Sequence, residues 1–181
     1  MSTREVEAAR KLLIRQLQGA YSGELAAGFA YRGHWRSVRE LDQREAIAAI
    51  EADEWHHREL VGGLLAELGA GPHRAREAIM GTVGRALGAL CHISGWFLPM
   101  YGAGLLESRN IAEYERAAHS AVECSRQDMI DCLLTMAEVE WDHEAYFRSH
   151  AASHRLASIV PLWSPVPARA TIRAAFARGG L

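Results

Sequence analysis

Glu54-Trp55-His56-His57 and Glu140-Trp141-Asp142-His143 are two copies of one pattern, Glu-Trp-x-His. In a helix, residues three apart lie nearly above one another on one face, so each copy presents a carboxylate and an imidazole to the same point. The pattern therefore requires helices. Two such copies in one chain also predict a shared metal site.

Apolar residues recur every three or four positions along four stretches, which predicts helices at about 4–37, 42–68, 75–121 and 126–151. Asp42 and Glu45 indicate a capped start for the second helix. Pro99 predicts a kink or break in the third near Leu98. Glycines 81, 84, 88 and 95 lie in the same helix and would allow close packing or leave room for a ligand.

Polar side chains occupy core-facing steps of these apolar stripes, where an unneutralised charge would be costly. They are Glu24, Glu54, His57, Glu107, Glu140 and His143. Four carboxylates and two imidazoles are the ligands that two-metal carboxylate sites in helical bundles use. Oxygen-rich ligation with one histidine per metal favours iron or manganese over zinc. The alternative is a set of satisfied polar groups in the core of an all-α domain.

We expect an all-α protein in which residues 1–154 form the four-helix bundle. Residues 155–181 contain three prolines and no acid, and are expected to form a C-terminal strap with a short helix over about 168–178, packed on the bundle. Several arginines continue through this region, beginning at Arg148. They indicate a solvated surface, a subunit contact or an anionic partner.

Composition restricts the function classes. The formal net charge of −2 gives no general reason to expect a nucleic-acid partner. The three cysteines form no CxxC pair, and the first residues lack an apolar run, so a reducing cytoplasm is expected.

Residues 86–106 carry no formal charge and are long enough to span a bilayer. We interpret them as a buried bundle helix, with a peripheral membrane contact as the alternative.

The order E…ExxH…E…ExxH over four helices resembles the ferritin-like superfamily of di-iron carboxylate proteins. Within it, the chain is most similar to the demethoxyubiquinone hydroxylase family. The likeness covers roughly residues 12–150 and includes the uncharged, glycine-rich approach to Glu107 and the position of Tyr114 one heptad beyond it. The family has a histidine just before this tyrosine, where the chain has Glu113.

This resemblance implies a di-iron oxygenase that activates O₂ to hydroxylate a small, apolar, quinone-like substrate. Glu24, Glu54 and His57 would hold one iron, and Glu107, Glu140 and His143 the other. Asp53 would hydrogen-bond His143, and the hydroxyl of Tyr114 would meet a ligand carboxylate; a surface aspartate and a packing aromatic are the alternatives. The expected partners are O₂, the organic substrate and an external electron donor, with a small homo-oligomer also open. The alternative function is ferritin-like or rubrerythrin-like iron oxidation or peroxide scavenging.

Overall fold

The computed structural model describes residues 2–179, which are all-helical, with 82% helix and no strand among them. The all-α prediction is therefore confirmed. The α-helices are α1 (Thr3–Ser37), α2 (Leu41–Glu67), α3 (Arg74–Leu90), α4 (Phe97–Glu123), α5 (Ile130–Ser153) and α6 (Ile172–Ala177). Three 3₁₀ turns accompany them: Gln127–Met129, Arg155–Ser158 and Arg169–Thr171.

The chain divides into two compact units. One is Leu17–Pro99, which holds most of α1 together with α2 and α3. The other consists of the described residues up to Gln16 and from Met100 onward, including most of α4, α5, the strap and α6. Each unit has its own buried apolar side chains, such as Ile47 and Leu65 in the first and Leu133 and Phe147 in the second.

The start of α2 differs from the predicted cap. The N-cap residue is Glu40, which makes no side-chain capping bond, and Asp42 lies inside the first turn. There its negative charge still faces the positive end of the helix dipole. The predicted end at about residue 68 agrees with the structure, in which α2 ends at Glu67. Gly69 follows with a φ of +62°, a left-handed conformation that glycine adopts without strain.

The predicted third helix is two helices, and the break precedes the proline. α3 ends at Leu90 and α4 begins at Phe97, with Gly95 at a φ of +78° in the connection. Pro99 is the third residue of α4. In the first turn of a helix the N–H groups have no intrahelical partner, so a proline there sacrifices no hydrogen bond.

Glycines bring α3 against α1 with the two backbones in contact. A Cβ on Gly84 would lie 2.3 Å from the carbonyl oxygen of Ala26, and a Cβ on Gly33 would lie 2.3 Å from Cα of Gly88. The prediction of close backbone packing is therefore confirmed at positions 84 and 88. Side chains at these positions would force the helices apart.

Arginines attach the C-terminal strap to α5. Arg173 pairs with Asp131 at 2.7 Å and with Glu138 at 2.9 Å, and Arg169 pairs with Asp142 at 3.2 Å. These two arginines therefore bind acids of the chain's own fifth helix. The side chains of Arg169 and Arg173 remain 45% and 42% exposed, which agrees with a solvated surface.

The uncharged segment 86–106 is not one buried helix, because it covers the end of α3, the connection and the start of α4. Leu87, Leu90, Ile93 and Leu98 within it are exposed. None of the described helices combines the length and the apolar character needed to cross a membrane.

Candidate metal centre

The unit Leu17–Pro99 contains a buried cluster formed by Glu24 on α1 and by Glu54 and His57 on α2. One carboxylate oxygen from each glutamate and one ring nitrogen of the histidine lie within 4.8 Å of one another. We call these three residues the first triad. The two α2 members are three residues apart, so a single turn of helix directs both to the same point.

A second triad with the same composition occurs in the other unit. It consists of Glu107 on α4 and of Glu140 and His143 on α5, all buried, and again one ligand atom from each lies within 4.8 Å of the others. Nδ1 of His143 is 3.8 Å from Oε2 of Glu140. Each triad therefore offers two carboxylates and one imidazole.

Burial and charge repulsion both disfavour the ionised form of Glu107 in the second triad. Burial raises the pKa of Glu107 well above its usual range, and the neighbouring carboxylate of Glu140 raises it further. His143 and a hydrogen bond from Asn110 act in the opposite direction and are outweighed. A divalent cation between these carboxylates would stabilise their ionised forms.

The sequence pattern did not identify Asn110 as a residue of the site. Its side-chain Nδ2 donates to Oε2 of Glu107 at 2.8 Å and lies 3.5 Å from Oε2 of Glu140. The spacing of three residues from Glu107 placed Asn110 on the same helix face and was the signal available. An amide that donates to one carboxylate oxygen orients the other oxygen and leaves its lone pairs for a ligand.

The two residues predicted to support the ligands have different burial. Tyr114 is buried on α4, two turns beyond Glu107. Asp53 is half-buried on α2, directly before Glu54. The hydrogen bond expected between Asp53 and the imidazole of His143, and the one expected from the Tyr114 hydroxyl to a ligand carboxylate, stay predictions.

Two further acids are buried although the sequence pattern gave them no role. Glu144 on α5 is the first: Trp163 of the strap covers it and donates a hydrogen bond to its carboxylate. Arg148 pairs with the same acid at 2.7 Å. The covering residue lies far along the chain, so helical periodicity around residue 144 contained no information about it.

Glu51 on α2 is the second such acid. Its carboxylate accepts hydrogen bonds from Trp35, Trp55 and Arg32 at 2.7–3.0 Å. Burial acts to raise the pKa of Glu51, but these three hydrogen bonds and the charge of Arg32 lower it overall. An arginine neutralises Glu51, as another neutralises Glu144, which explains both acids without a metal ion.

The donor types and burial of the triads fit a metal ion. Carboxylate oxygens and imidazole nitrogens are the ligands that iron and manganese accept, and the spacing within each triad is short enough for one ion to reach all three donors. The buried Glu and His clusters can therefore hold a metal ion.

No protein-family model, curated protein sequence or solved structure matches the chain.

Proposed function

We propose that the protein is a non-haem di-iron oxygenase that uses O₂ to hydroxylate a small, apolar organic substrate. The observation that carries the proposal is the pair of matching buried triads, one on α1 and α2 and the other on α4 and α5. A polar cluster with a purely structural role has no reason to recur with the same two carboxylates and one imidazole in each unit.

The charge balance supports two ions. The two triads together contain four carboxylates, and two divalent cations bring four positive charges to them. Leaving several ionised carboxylates buried without cations would cost several kcal/mol each. Oxygen-rich donors with one imidazole per ion favour iron, with manganese as the other candidate, over the nitrogen- and sulphur-rich sites typical of structural zinc.

The same four carboxylates and two imidazoles support a ferritin-like bundle as the finer description of the fold. In such bundles two helices each supply one Glu, and two others each supply a Glu-x-x-His pair. Here α1 and α4 supply Glu24 and Glu107, and α2 and α5 supply the two pairs. We infer that Glu24, Glu54 and His57 would hold one ion and that Glu107, Glu140 and His143 would hold the other, as in the di-iron hydroxylase family that the sequence resembles.

A pair of ferrous ions, when bound, would supply the two electrons needed to activate O₂, and an external electron donor would restore them. The protein's own contribution is binding, orientation and exclusion of water. Asn110 holds the Glu107 carboxylate through a 2.8 Å hydrogen bond, so this carboxylate is oriented before an ion arrives. Met100, Tyr114 and Met136 are fully buried apolar or aromatic side chains on α4 and α5 and keep this part of the core dry.

Metal analysis tests the proposal directly. We expect about two iron ions per chain after anaerobic loading with Fe²⁺, and an absorption spectrum of the oxidised protein typical of an oxygen-bridged iron pair. The double variant Glu54→Ala, Glu140→Ala removes one carboxylate from each triad and is expected to lose both ions. The matched control is Glu59→Ala, Glu123→Ala, which removes two exposed glutamates from α2 and α4 and should keep the iron.

The reaction is tested with the reduced, iron-loaded protein and a panel of small aromatic and quinone-like compounds, by following O₂ consumption and product mass. Gain of one oxygen atom by a substrate supports the oxygenase. Iron oxidation or peroxide removal without any oxidised substrate would favour the storage or scavenging alternative. Unchanged metal content in the Glu54→Ala, Glu140→Ala variant would remove the triads from consideration.

A further inference from the structure

Helix α3 has its large apolar side chains on the outside. Ile79, Val83, Leu87 and Leu90 are 39–62% exposed, and Ile93 and Leu98 just beyond the helix are 82% and 59% exposed. The spacing 79, 83, 87, 90 places the first four on one face. We call these six residues the α3 stripe.

The residues on the inner face of α3 explain why its large apolar side chains are exposed. Its buried residues are Gly81, Gly84 and Gly88. Gly81 lies about 200° of helix away from Ile79, and Gly88 lies about 200° away from Leu90. All three glycines pack directly on the backbone of α1 or its side chains. The helix therefore uses its smallest residues for the contact within the chain and presents its largest to the outside.

Charge is excluded from the stripe. Between Ala78 and Leu98 the only formally charged side chain is Arg85. It lies off the stripe, donates to the carbonyl of Gly81 and stacks over the ring of Phe29 at 3.8 Å. In a two-fold symmetric contact, a charge close to the axis meets its own copy, so an uncharged face can meet itself there without repulsion.

The area is consistent with a contact between two copies. Six partly exposed aliphatic side chains with the alanines between them present an apolar patch on the order of 500 Å², at the upper end of what a monomeric protein exposes. Two such patches together would bury about 1,000 Å², which is the smallest area expected of a specific protein interface. Val83, Ala86, Leu90 and Ile93 also continue from Ile79 at steps of four and three, the spacing of a helix-pair seam.

We propose that the α3 stripe is a homodimer interface, in which α3 of one chain packs against α3 of a second copy. A membrane surface is the other apolar partner for such a face. Helices that lie on membranes carry lysines and arginines along the border of the apolar face, and the one arginine within the span 78–98 is already held by its own chain. The second copy is therefore the occupant that the charge pattern favours.

Sedimentation equilibrium of the full chain at micromolar concentration tests the proposal, with a dimer as the expected species. Val83→Glu and Leu87→Glu each put a charge on both sides of the contact and should raise the dimer dissociation constant at least about 30-fold. Neither should change the helical circular dichroism, because both side chains already reach solvent. Leu41→Glu and Ile159→Glu change apolar residues that are even more exposed, 64% and 78%, and should leave the dissociation constant unchanged.

A charge-pairing experiment distinguishes a lost contact from a misfolded chain. An equimolar mixture of Val83→Glu and Val83→Lys proteins should associate more tightly than either protein alone, because opposite charges then face each other. Three results would overturn the proposal: a wild-type monomer at all concentrations tested, a dimer insensitive to both stripe variants, or a monomer that floats with phosphatidylcholine vesicles in a stripe-dependent way. The last result would assign the stripe to a lipid surface.

Discussion

The indole N–H of Trp163 donates a 2.6 Å hydrogen bond to Oε1 of Glu144, which lies nineteen residues earlier on α5. The same oxygen accepts from Nε of Arg148, and Arg148 also donates to the backbone carbonyls of Trp163 and Ser164. The indole ring packs where Gly104 leaves room on α4. One carboxylate thus connects α5 to a strap that has little regular structure of its own.

Glu144→Ala should destabilise the protein by about 3 kcal/mol, because it leaves the Arg148 guanidinium and the Trp163 N–H without their acceptor. Trp163→Phe keeps a ring in place and removes only the hydrogen bond, so it should cost less, roughly 1–2 kcal/mol. Urea denaturation measures both values. Glu113→Ala, at an exposed site on the neighbouring α4, should change stability by less than about 0.5 kcal/mol.

Gly84→Ala should destabilise the unit Leu17–Pro99 by roughly 3 kcal/mol or more, because its Cβ would meet the Ala26 carbonyl and push α3 off α1. Alanine is otherwise the better helix former by about 1 kcal/mol. Gly63 on α2 provides the control, since a Cβ there would meet nothing within 4 Å. Gly63→Ala should therefore be neutral or stabilising in thermal unfolding, and equal effects at the two sites would contradict the packing argument.

His34 should make stability depend on pH. Burial lowers its pKa from 6.5 to about 4, so between these values the unfolded chain binds a proton that the folded chain does not. Stability contributed by the neutral imidazole, up to about 3 kcal/mol, is present above pH 6.5 and is lost as the pH falls toward 4. His34→Gln should flatten this part of the stability profile, measured by urea unfolding with EDTA present, whereas His56→Gln at an exposed site should not.

Glu107→Gln should stabilise the metal-free protein although it weakens iron binding. The pKa of Glu107 is raised by burial and by Glu140, so in metal-free protein the folded state binds the extra proton between the usual value of 4.5 and the raised one. Its stability therefore falls as the pH rises through that window. Glu107→Gln should unfold at higher urea than wild type in EDTA at neutral pH, and yet bind less iron. A variant less stable than wild type in EDTA would argue against the repulsion.

Asn110→Ala should weaken iron binding about 10- to 100-fold without removing a ligand, because the Glu107 carboxylate loses the hydrogen bond that orients it. Competition with a chelator measures the change. Ser108 is nearby on α4 and its hydroxyl donates only to the carbonyl of Leu105, so Ser108→Ala is the matched control. Restoration of tight binding by Asn110→Gln or Asn110→His would support the orienting role over a purely structural one.

The sequence by itself determined that the chain is helical and which six polar residues lie on the apolar stripes. Both follow from periodicity, which depends on neighbours within one or two helical turns, and a carboxylate on a core-facing step is visible without knowing what it packs against. The end of α2 could be predicted for the same reason, because the left-handed conformation of Gly69 depends only on the local backbone.

Only the tertiary structure decided which of the other acids are buried and which way α3 faces. Glu144 is buried because Trp163 of the strap lies over it, and Glu51 because two tryptophans and an arginine meet at its carboxylate. In α3 the buried face is the one with glycines, since backbone contact with α1 needs the absence of side chains, and the large aliphatic residues were left outside. Hydrophobic patterning predicts the opposite orientation, and it fails where close approach of two backbones determines the packing.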